Sequence, residues 1–142
     1  MNNQTQPSEK LNVPIRQFIT KRLIGINKNA SIQESAARMA EFRISSLGIL
    51  DESSVIGIIT DTDLKKKALA EGKSSNNPVH EIMTPDPVTA DISSPVRNVL
   101  ELMSKYKIKH VFVTETGEVV GVITRKELKD LDLQSMETYI AR

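Results

Sequence analysis

A short segment that occurs twice constrains this chain of 142 residues more than any other feature. The two copies read VIGIITDTDLK, over residues 55–65, and VVGVITRKELK, over residues 119–129. In each copy an apolar run typical of a strand leads directly into a polar segment typical of a helix, with Thr60 or Thr124 at the junction. The offset between the copies is 121 − 57 = 64 residues, measured between their glycines.

The duplication extends far beyond this segment. Residues 14–65 align with residues 78–129 without a gap, and such a match indicates two structural repeats. A unit of about 60 residues buries too little surface to be stable alone, so we expect the repeats to pack on each other. The predicted organisation is a disordered tail over 1–12, repeat 1 over 13–72, a linker over 73–77, and repeat 2 with a C-terminal helix over 78–142.

Each repeat contains the same order of elements. In repeat 1, the run 23–26 predicts a short strand, and Ser31 with Glu34 forms the capping box of a helix. The apolar runs over 47–50 and 55–60, separated by a polar turn, predict a hairpin, and residues 61–70 form a second helix that Gly72 ends. In repeat 2, Ser94 is the expected helix cap, with Pro95 in the first turn. These patterns predict an α/β (α+β) fold of two β-α-β-β-α repeats.

Composition excludes several classes of protein. A net charge of +1 and only five aromatic residues argue against a nucleic-acid or anionic-membrane partner. The absence of cysteine excludes disulfides and thiolate metal sites. No apolar run approaches the ~20 residues of a membrane span, and the first ten residues do not resemble a secretory signal. The expected location is the cytoplasm.

Thr60 and Asp63 have the spacing of a capping box, with the threonine at the N-cap and the carboxylate three residues later. Helix capping alone therefore explains both residues. The same geometry also suits a ligand, because a helix N-terminus has unpaired N–H groups and a partial positive charge that favour phosphate. In that interpretation Gly57 keeps the strand thin beside the ligand. Both interpretations stay open from the residues alone.

The whole repeat resembles a tandem pair of cystathionine-β-synthase (CBS) domains, called a Bateman module. The resemblance rests on two copies of strand, helix, hairpin and helix, each ending in Gly-x-x-Thr-x-x-acid, and on the tetrapeptide Ile-Met-Thr-Pro over 82–85. It implies two repeats packed sheet to sheet with pseudo-twofold symmetry. It also implies an adenosyl ligand, such as AMP, ADP or ATP, in clefts between the repeats.

In repeat 1 the resemblance implies a first ligand site. The short strand would lie against adenine, the start of the hairpin would close the other side, and the helix start would bind phosphate and ribose. The residues carried over in that order are Gly25 and Ile26; Ile44, Ser45, Ser46 and Leu47; Thr60 for phosphate and Asp63 for ribose.

The second site, in repeat 2, departs from the family pattern. Glu127 is one methylene longer than aspartate, which puts its ribose contact in doubt, and Arg125 and Lys126 bring positive charge that suits phosphates. His110 fits either a phosphate contact or a partly exposed structural role. The residues carried over are Thr89, Ala90, Ile108, Lys109, His110, Val111, Thr124, Arg125, Lys126 and Glu127. We expect the first site to bind adenosine.

The predicted function is regulatory. The resemblance implies a stand-alone homodimeric module that binds an adenine nucleotide, with or without Mg²⁺, and passes a conformational change to an unknown effector protein. The sequence lacks the short motifs of common hydrolases, phosphate loops and zinc enzymes, so no catalytic residue, catalytic cofactor or protein-held metal is expected. Two alternatives remain: a purely structural dimerisation or interaction protein with no ligand, and a nucleic-acid-binding protein.

Overall fold

The computed structural model describes residues 11–19 and 23–128, which form two compact units. One unit comprises Leu23–Pro87, and the other combines residues 11–19 with residues 88–128. These units differ from the sequence repeats, because the residues that open each repeat belong to the unit formed mainly by the other repeat. Most of the predicted N-terminal tail and most of the predicted C-terminal helix lie outside the described residues.

The Leu23–Pro87 unit contains a four-stranded sheet in the order β1-β2-β3-β4. Strand β1 runs parallel to β2, whereas β2 and β3 form an antiparallel hairpin and β4 pairs antiparallel with β3. The central hairpin is the one that the two apolar runs predict. The strand bounds are β1 Gly25–Asn27, β2 Ser46–Asp51, β3 Ser54–Thr60 and β4 Thr84–Pro85.

Four helical segments complete this unit, one of which is a 3₁₀ turn over Val79–Glu81. Helix α1, Ile32–Phe42, connects β1 to β2. Helix α2, Asp61–Asp63, starts directly after β3 and continues as a π-helical segment over Leu64–Leu69. The predicted helix over 61–70 is therefore present, although most of it is π-helical. Gly72, with φ +68°, adopts the left-handed conformation that ends such a segment, as predicted.

The second unit repeats this order around a three-stranded sheet, β5-β6-β7. Strand β5 is parallel to β6, and β6 and β7 form an antiparallel hairpin. Residues 125–128 are helical and follow β7 directly. The bounds are β5 Thr89–Asp91, α3 Val96–Tyr106, β6 His110–Glu115 and β7 Glu118–Thr124. The predicted fold class of two β-α-β-β-α repeats is thus confirmed.

Each unit has its own apolar core, built from one face of its sheet and the inner face of its helices. Ser35 and Asp63 are among the few buried polar residues, and both belong to the first unit. The first core contains Ile26, Ile32, Met39, Leu47, Ile49, Ile59, Ala68, Val79 and Ile82. The second contains Ile15, Ala90, Ile92, Val96, Val99, Met103, Val111, Val113, Ile123 and Leu128.

Backbone carbonyls of the opening segments cap the long helices. In the first unit, Ile32 N–H donates to Asn77 O over 2.9 Å and Gln33 N–H to Ser75 O over 3.0 Å. The second unit repeats the arrangement, with Val96 N–H bonded to Val13 O over 2.9 Å and Arg97 N–H to Leu11 O over 2.8 Å. These bonds satisfy N–H groups that a helix start leaves unpaired. The predicted linker and the end of the predicted tail are thus part of the two units.

The start of α3 differs from the prediction. Pro95, not Ser94, is the N-cap residue; its backbone is extended, with ψ at 152°, and no side chain caps the helix. The prediction of Ser94 as the cap is therefore wrong by one position. The physical reason is that the carbonyls of Leu11 and Val13 already accept from the first helical N–H groups, so a side-chain cap has less to contribute.

None of the helices within residues 11–19 and 23–128 combines the length and the apolar character needed to cross a bilayer.

Candidate functional site

Thr60 and Asp63 form a complete capping box where β3 meets α2. Thr60 Oγ1 accepts from Asp63 N–H over 3.3 Å, and Asp63 Oδ2 accepts from Thr60 N–H over 2.9 Å. The Thr60 hydroxyl also donates to Asp63 Oδ2 over 3.0 Å. The two predicted ligand residues are therefore brought together, and in this structure they bond to each other.

Asp63 is held in place from its other side by a cation. Lys67 Nζ lies 3.1 Å from Asp63 Oδ1, and the Asp63 side chain is only 11% exposed. Lys67 also donates to Thr84 Oγ1 over 3.2 Å. Lys65 and Lys66 are exposed, whereas the Lys67 ammonium bonds both Asp63 and Thr84. The i,i+4 spacing of Asp63 and Lys67 is the signal that would have identified the pair.

The first turn of α2 uses some of the N–H groups that a phosphate would need. Asp61 N–H donates to Ser45 O over 3.1 Å, and Asp63 N–H is bonded to Thr60 Oγ1. Because only the first few N–H groups of a helix lack intrahelical partners, these two bonds reduce its capacity for an anion. The geometry thus favours Asp63, more than the helix start, as the group that contacts a ligand.

The start of β2 lies beside Thr60. Ser46 pairs with Thr60 and Leu47 with Ile59 across the β2–β3 ladder. Ser46 is buried and Leu47 is fully buried in the core, so position 47 has no side chain available to a ligand. Ile44 packs partly against the same core, and Ser45 is exposed. Of this set, Ser45 is the side chain most accessible from solvent.

The short strand β1 can offer a ligand its backbone but little side chain. The Ile26 side chain is 4% exposed and belongs to the core, which leaves only its backbone for a base. Gly25 O accepts from Arg38 Nη1 over 2.8 Å. A Cβ at Gly25 would lie 2.9 Å from Leu50 Cδ1, so the glycine is needed for packing against β2. Arg38 was not identified from the sequence.

Gly57 has a structural role that the sequence pattern did not predict. A Cβ at this position would lie 2.5 Å from Met83 Sδ and 2.9 Å from Thr84 O. Gly57 pairs with Pro85 in the β3–β4 ladder. The glycine therefore makes room for Met83 and for strand β4, and the prediction that it keeps β3 thin beside a ligand is corrected accordingly.

The second repeat forms a looser version of the same arrangement. Thr124 Oγ1 donates to Glu127 Oε1 over 3.0 Å and accepts from Glu127 N–H over 3.3 Å. Unlike Asp63, Glu127 is exposed, as is Lys126, while Arg125 is partly buried. Arg125 N–H donates to Lys109 O over 2.7 Å, which matches the bond of Asp61 in the first repeat.

The remaining predicted residues of the second site divide by exposure. Ala90 and Val111 are buried in the core, and Ile108 packs partly against it. His110 begins β6, pairs with Thr124 across the ladder and is partly buried. Thr89 and Lys109 are exposed.

A cavity of about 560 Å³ lies beside β5 and α3 in the second unit. It includes Thr89 and Ala90 but neither Thr124 nor Glu127, so it joins only part of the predicted second site. The Ser93 hydroxyl, and next its backbone N–H, donate to Asp91 and hold the pKa of that carboxyl below its usual range. The lining residues are Thr89, Ala90, Asp91, Ser94, Asn98, Glu101, Leu102 and Lys105.

Chemically, the first site is suited to binding. It presents a buried carboxylate, a hydroxyl and a nearby ammonium. Within the described residues, no group of three or more His, Asp or Glu side chains is placed to hold a metal ion. The Asp63 carboxylate can accept hydrogen bonds from hydroxyl groups of a ligand.

Comparison with known proteins identifies related sequences along most of the chain. The family model described as CBS domain matches residues 15–70 and again residues 79–133. A curated relative, the CBS domain-containing protein YhcV of Bacillus subtilis, is 22% identical over 127 residues, which are 89% of this chain and 89% of that protein.

Two solved structures show the same fold. The CBS domain pair of protein MJ0100, in complex with 5′-methylthioadenosine and S-adenosyl-L-methionine, is 34% identical with a TM-score of 0.77, and the match covers 84% of this chain and 95% of that one. The CBS domain protein PAE2072 of Pyrobaculum aerophilum, complexed with AMP, is 21% identical with a TM-score of 0.78, covering 87% and 98%.

Proposed function

The chain belongs to the CBS domain family as a tandem pair, and on that premise we propose that it is a regulatory module that binds an adenosyl ligand. The MJ0100 domain pair, 34% identical to this chain, is complexed with 5′-methylthioadenosine and S-adenosyl-L-methionine. The residues that we propose for the ligand are Thr60 and Asp63, with Ser45 and the backbone of Gly25 and Ile26 contributing beside them.

The observation that carries the proposal is the state of Asp63. Its side chain is only 11% exposed and paired with Lys67, so it is an anchored hydrogen-bond acceptor at a fixed position. Vicinal ribose hydroxyls are donors that match a carboxylate, and such charge-assisted bonds are roughly twice as strong as neutral ones. The adenosyl part of the ligand, which contains this diol, is therefore what we propose the first repeat to recognise.

The ligand class extends to both phosphate-bearing and phosphate-free adenosyl compounds. Because two N–H groups of the first α2 turn are already bonded within the chain, a phosphate gains less there than at an open helix start. This favours ligands such as 5′-methylthioadenosine, whose recognition depends on base and ribose. Arg125 and Lys126 of the second repeat are the groups that we propose for phosphates of AMP, ADP or ATP.

We propose that the output is conformational. A ligand shifts an equilibrium between two arrangements only as far as it prefers one of them, and the signal then passes to an effector protein. We further propose a homodimer as the functional form. Catalysis is no part of the proposal.

A melting screen tests the proposed function. At a hundredfold excess over its dissociation constant, a ligand adds about 2.7 kcal/mol of stability, which raises the melting temperature of a chain of this size by about 9 °C. The screen uses 5′-methylthioadenosine, S-adenosyl-L-methionine, AMP, ADP and ATP, each with and without Mg²⁺. We expect a shift with at least one of them, and a smaller shift in Asp63→Asn. Absence of any shift at millimolar ligand would contradict the proposal.

A purely structural role is the second candidate, and one observation favours it. The Thr60–Asp63 capping box is complete with no ligand, so both residues stabilise α2 by themselves. This candidate predicts that Asp63→Asn lowers the melting temperature by the same amount with and without adenosyl compounds. If Asp63→Asn loses more melting temperature with an adenosyl compound than without it, the ligand-binding function is supported. If the two losses are equal, the structural role is supported.

A further inference from the structure

Lys67 connects the proposed ribose-binding carboxylate to the edge strand β4. Its Nζ lies 3.1 Å from Asp63 Oδ1 and 3.2 Å from Thr84 Oγ1. Lys67 belongs to the π-helical segment that follows α2, whereas Thr84 is the first residue of β4. One ammonium group therefore bonds the start of the candidate site and a strand at the edge of the same sheet.

Asp63 has little acceptor capacity left in this arrangement. A carboxylate offers about four lone-pair sites. Oδ2 accepts from the Thr60 N–H over 2.9 Å and from the Thr60 hydroxyl over 3.0 Å, and Oδ1 is paired with Lys67. About one site remains, on Oδ1, whereas a vicinal diol donates two bonds. A ligand that uses both ribose hydroxyls must therefore displace a present partner.

Lys67 is the partner that leaves most easily. The Thr60 N–H is fixed at the end of β3 and belongs to the capping box. Lys67 instead carries its ammonium at the end of a flexible stem, and its side chain is 42% exposed, so water can replace Asp63 as its partner. Because the lysine end of this ion pair is open to solvent, water screens it and lowers the cost of exchanging it.

Strand β4 is a short strand at the edge of the sheet, and the Asp86 N–H that follows it donates to Ile56 O over 3.3 Å. It has only two residues, and it pairs with β3 through Gly57 opposite Pro85 and Ile58 opposite Thr84. Pro85 has no N–H to donate to the ladder. Beyond β4 the chain leaves this unit after Pro87 and continues in the other unit from Val88. In sequence, β4 therefore lies directly before the connection between the units.

We propose that a diol-bearing ligand at Asp63 displaces the Lys67 ammonium, and that the loss of this contact loosens β4 at Thr84. Lys67 is then a positioning residue that couples ligand binding to the strand before the inter-unit connection. This inference rests on the proposed function. At the 64-residue offset, Leu131 stands in the position of Lys67, so the coupling belongs to the first repeat alone.

Hydrogen–deuterium exchange of the full chain tests this coupling, with the peptide covering residues 83–88 as the readout. Adenosine is the probe, and 3′-deoxyadenosine, which lacks one of the two hydroxyls, is its matched control. In the wild type, we expect saturating adenosine to speed exchange of this peptide severalfold. We expect 3′-deoxyadenosine to leave it unchanged, because one hydroxyl fits the free site on Oδ1.

Variants separate coupling from a merely structural role. In Lys67→Met the peptide exchanges fast with and without adenosine, while affinity stays equal to the wild type or rises by at most about fivefold, since a competitor for Asp63 is gone. Lys67→Arg restores the ligand-dependent change. Thr84→Val removes the response but preserves adenosine affinity, and Lys66→Met, at an exposed neighbouring lysine, behaves as the wild type.

The results that would overturn the inference are specific. If calorimetry shows adenosine bound to the wild type and the peptide over 83–88 exchanges as in the free protein, the inference fails while the proposed function stands. It fails equally if Lys67→Met retains the wild-type response or loses adenosine binding. If the wild type binds no adenosyl compound, the proposed function falls, and this inference falls with it.

Discussion

Thr60 and Asp63, at the end of β3, can act both as a helix cap and as ligand contacts. The Thr-x-x-Asp spacing predicted a capping box, and the structure shows it with both reciprocal bonds. The burial of Asp63 and its bond to Lys67 add what capping alone does not require. The capping box was predictable because its partners are three residues apart, whereas the Lys67–Thr84 contact depends on how β4 folds back.

Gly57 gives the sharpest stability prediction at this scale. In Gly57→Ala the new Cβ would meet Met83 Sδ and the Thr84 carbonyl, so β4 must shift. Overpacking of this kind costs about 1–3 kcal/mol. Urea unfolding of the wild type and the variant measures the difference.

Met83→Ala in the same background is the control for Gly57→Ala. It removes one of the two close contacts and is expected to recover part of the loss, because the contact with the Thr84 carbonyl remains. A Gly57→Ala protein as stable as the wild type would contradict the packing role of this glycine.

Asp91 gives a pH-dependent prediction. Bonds from the Ser93 hydroxyl and N–H hold the pKa of Asp91 below its usual range. A pKa depressed by folding contributes stability above the ordinary aspartate value, about 3.9, and the contribution is lost as pH falls through the folded pKa. In Ser93→Ala we expect the pKa of Asp91 to rise toward its usual range. NMR titration of the carboxyl measures it, and an unchanged pKa would contradict the assignment.

At the scale of elements, the hairpins and the two long helices were predictable from local pattern. Short apolar runs separated by polar turns predicted β2–β3 and β6–β7. The start of α3 was predicted one residue early. Ser94 precedes a proline and resembles a cap, but backbone carbonyls more than 80 residues away in sequence satisfy the helix instead.

Two serines form a matched test of capping. Ser31 Oγ accepts from Glu34 N–H over 3.0 Å at the start of α1, so Ser31→Ala is expected to lose about 1 kcal/mol. Ser94 provides no side-chain cap for α3, and we expect Ser94→Ala to stay within about 0.5 kcal/mol of the wild type. Chemical denaturation compares them, and equal losses in the two variants would refute this difference.

At the scale of the whole molecule, the 64-residue repeat predicted two similar units, and the structure contains them. The exchange of opening segments was not predictable, because its hydrogen bonds join backbone groups distant in sequence that no side-chain pattern marks. Its consequence is that neither repeat is complete alone. Residues 75–77, between the two repeats, cap α1 of the first unit. Residues 11–13, where the first repeat starts, cap α3 of the second unit.

The candidate site was predictable only in part for a related reason. Spacing identified Thr60 and Asp63, since both lie on one continuous segment. The side chains of Ile26, Leu47 and Val111 are buried and so cannot contact a ligand. Their burial depends on the folded unit, which the sequence pattern does not show. The contact of Arg38 with β1 and the contact of Lys67 with Thr84 both depend on the fold, because their partners are more than ten residues away in sequence.

Calorimetric titration of 5′-methylthioadenosine into the wild type and Asp63→Asn tests the central claim most directly. We expect saturable binding to the wild type and at least about tenfold weaker binding to Asp63→Asn, because bonds to a charged acceptor contribute about 1.5–3 kcal/mol. Glu127→Gln, at the exposed equivalent position, is the matched control and should bind as the wild type. Equal affinity in the wild type and Asp63→Asn would contradict the account.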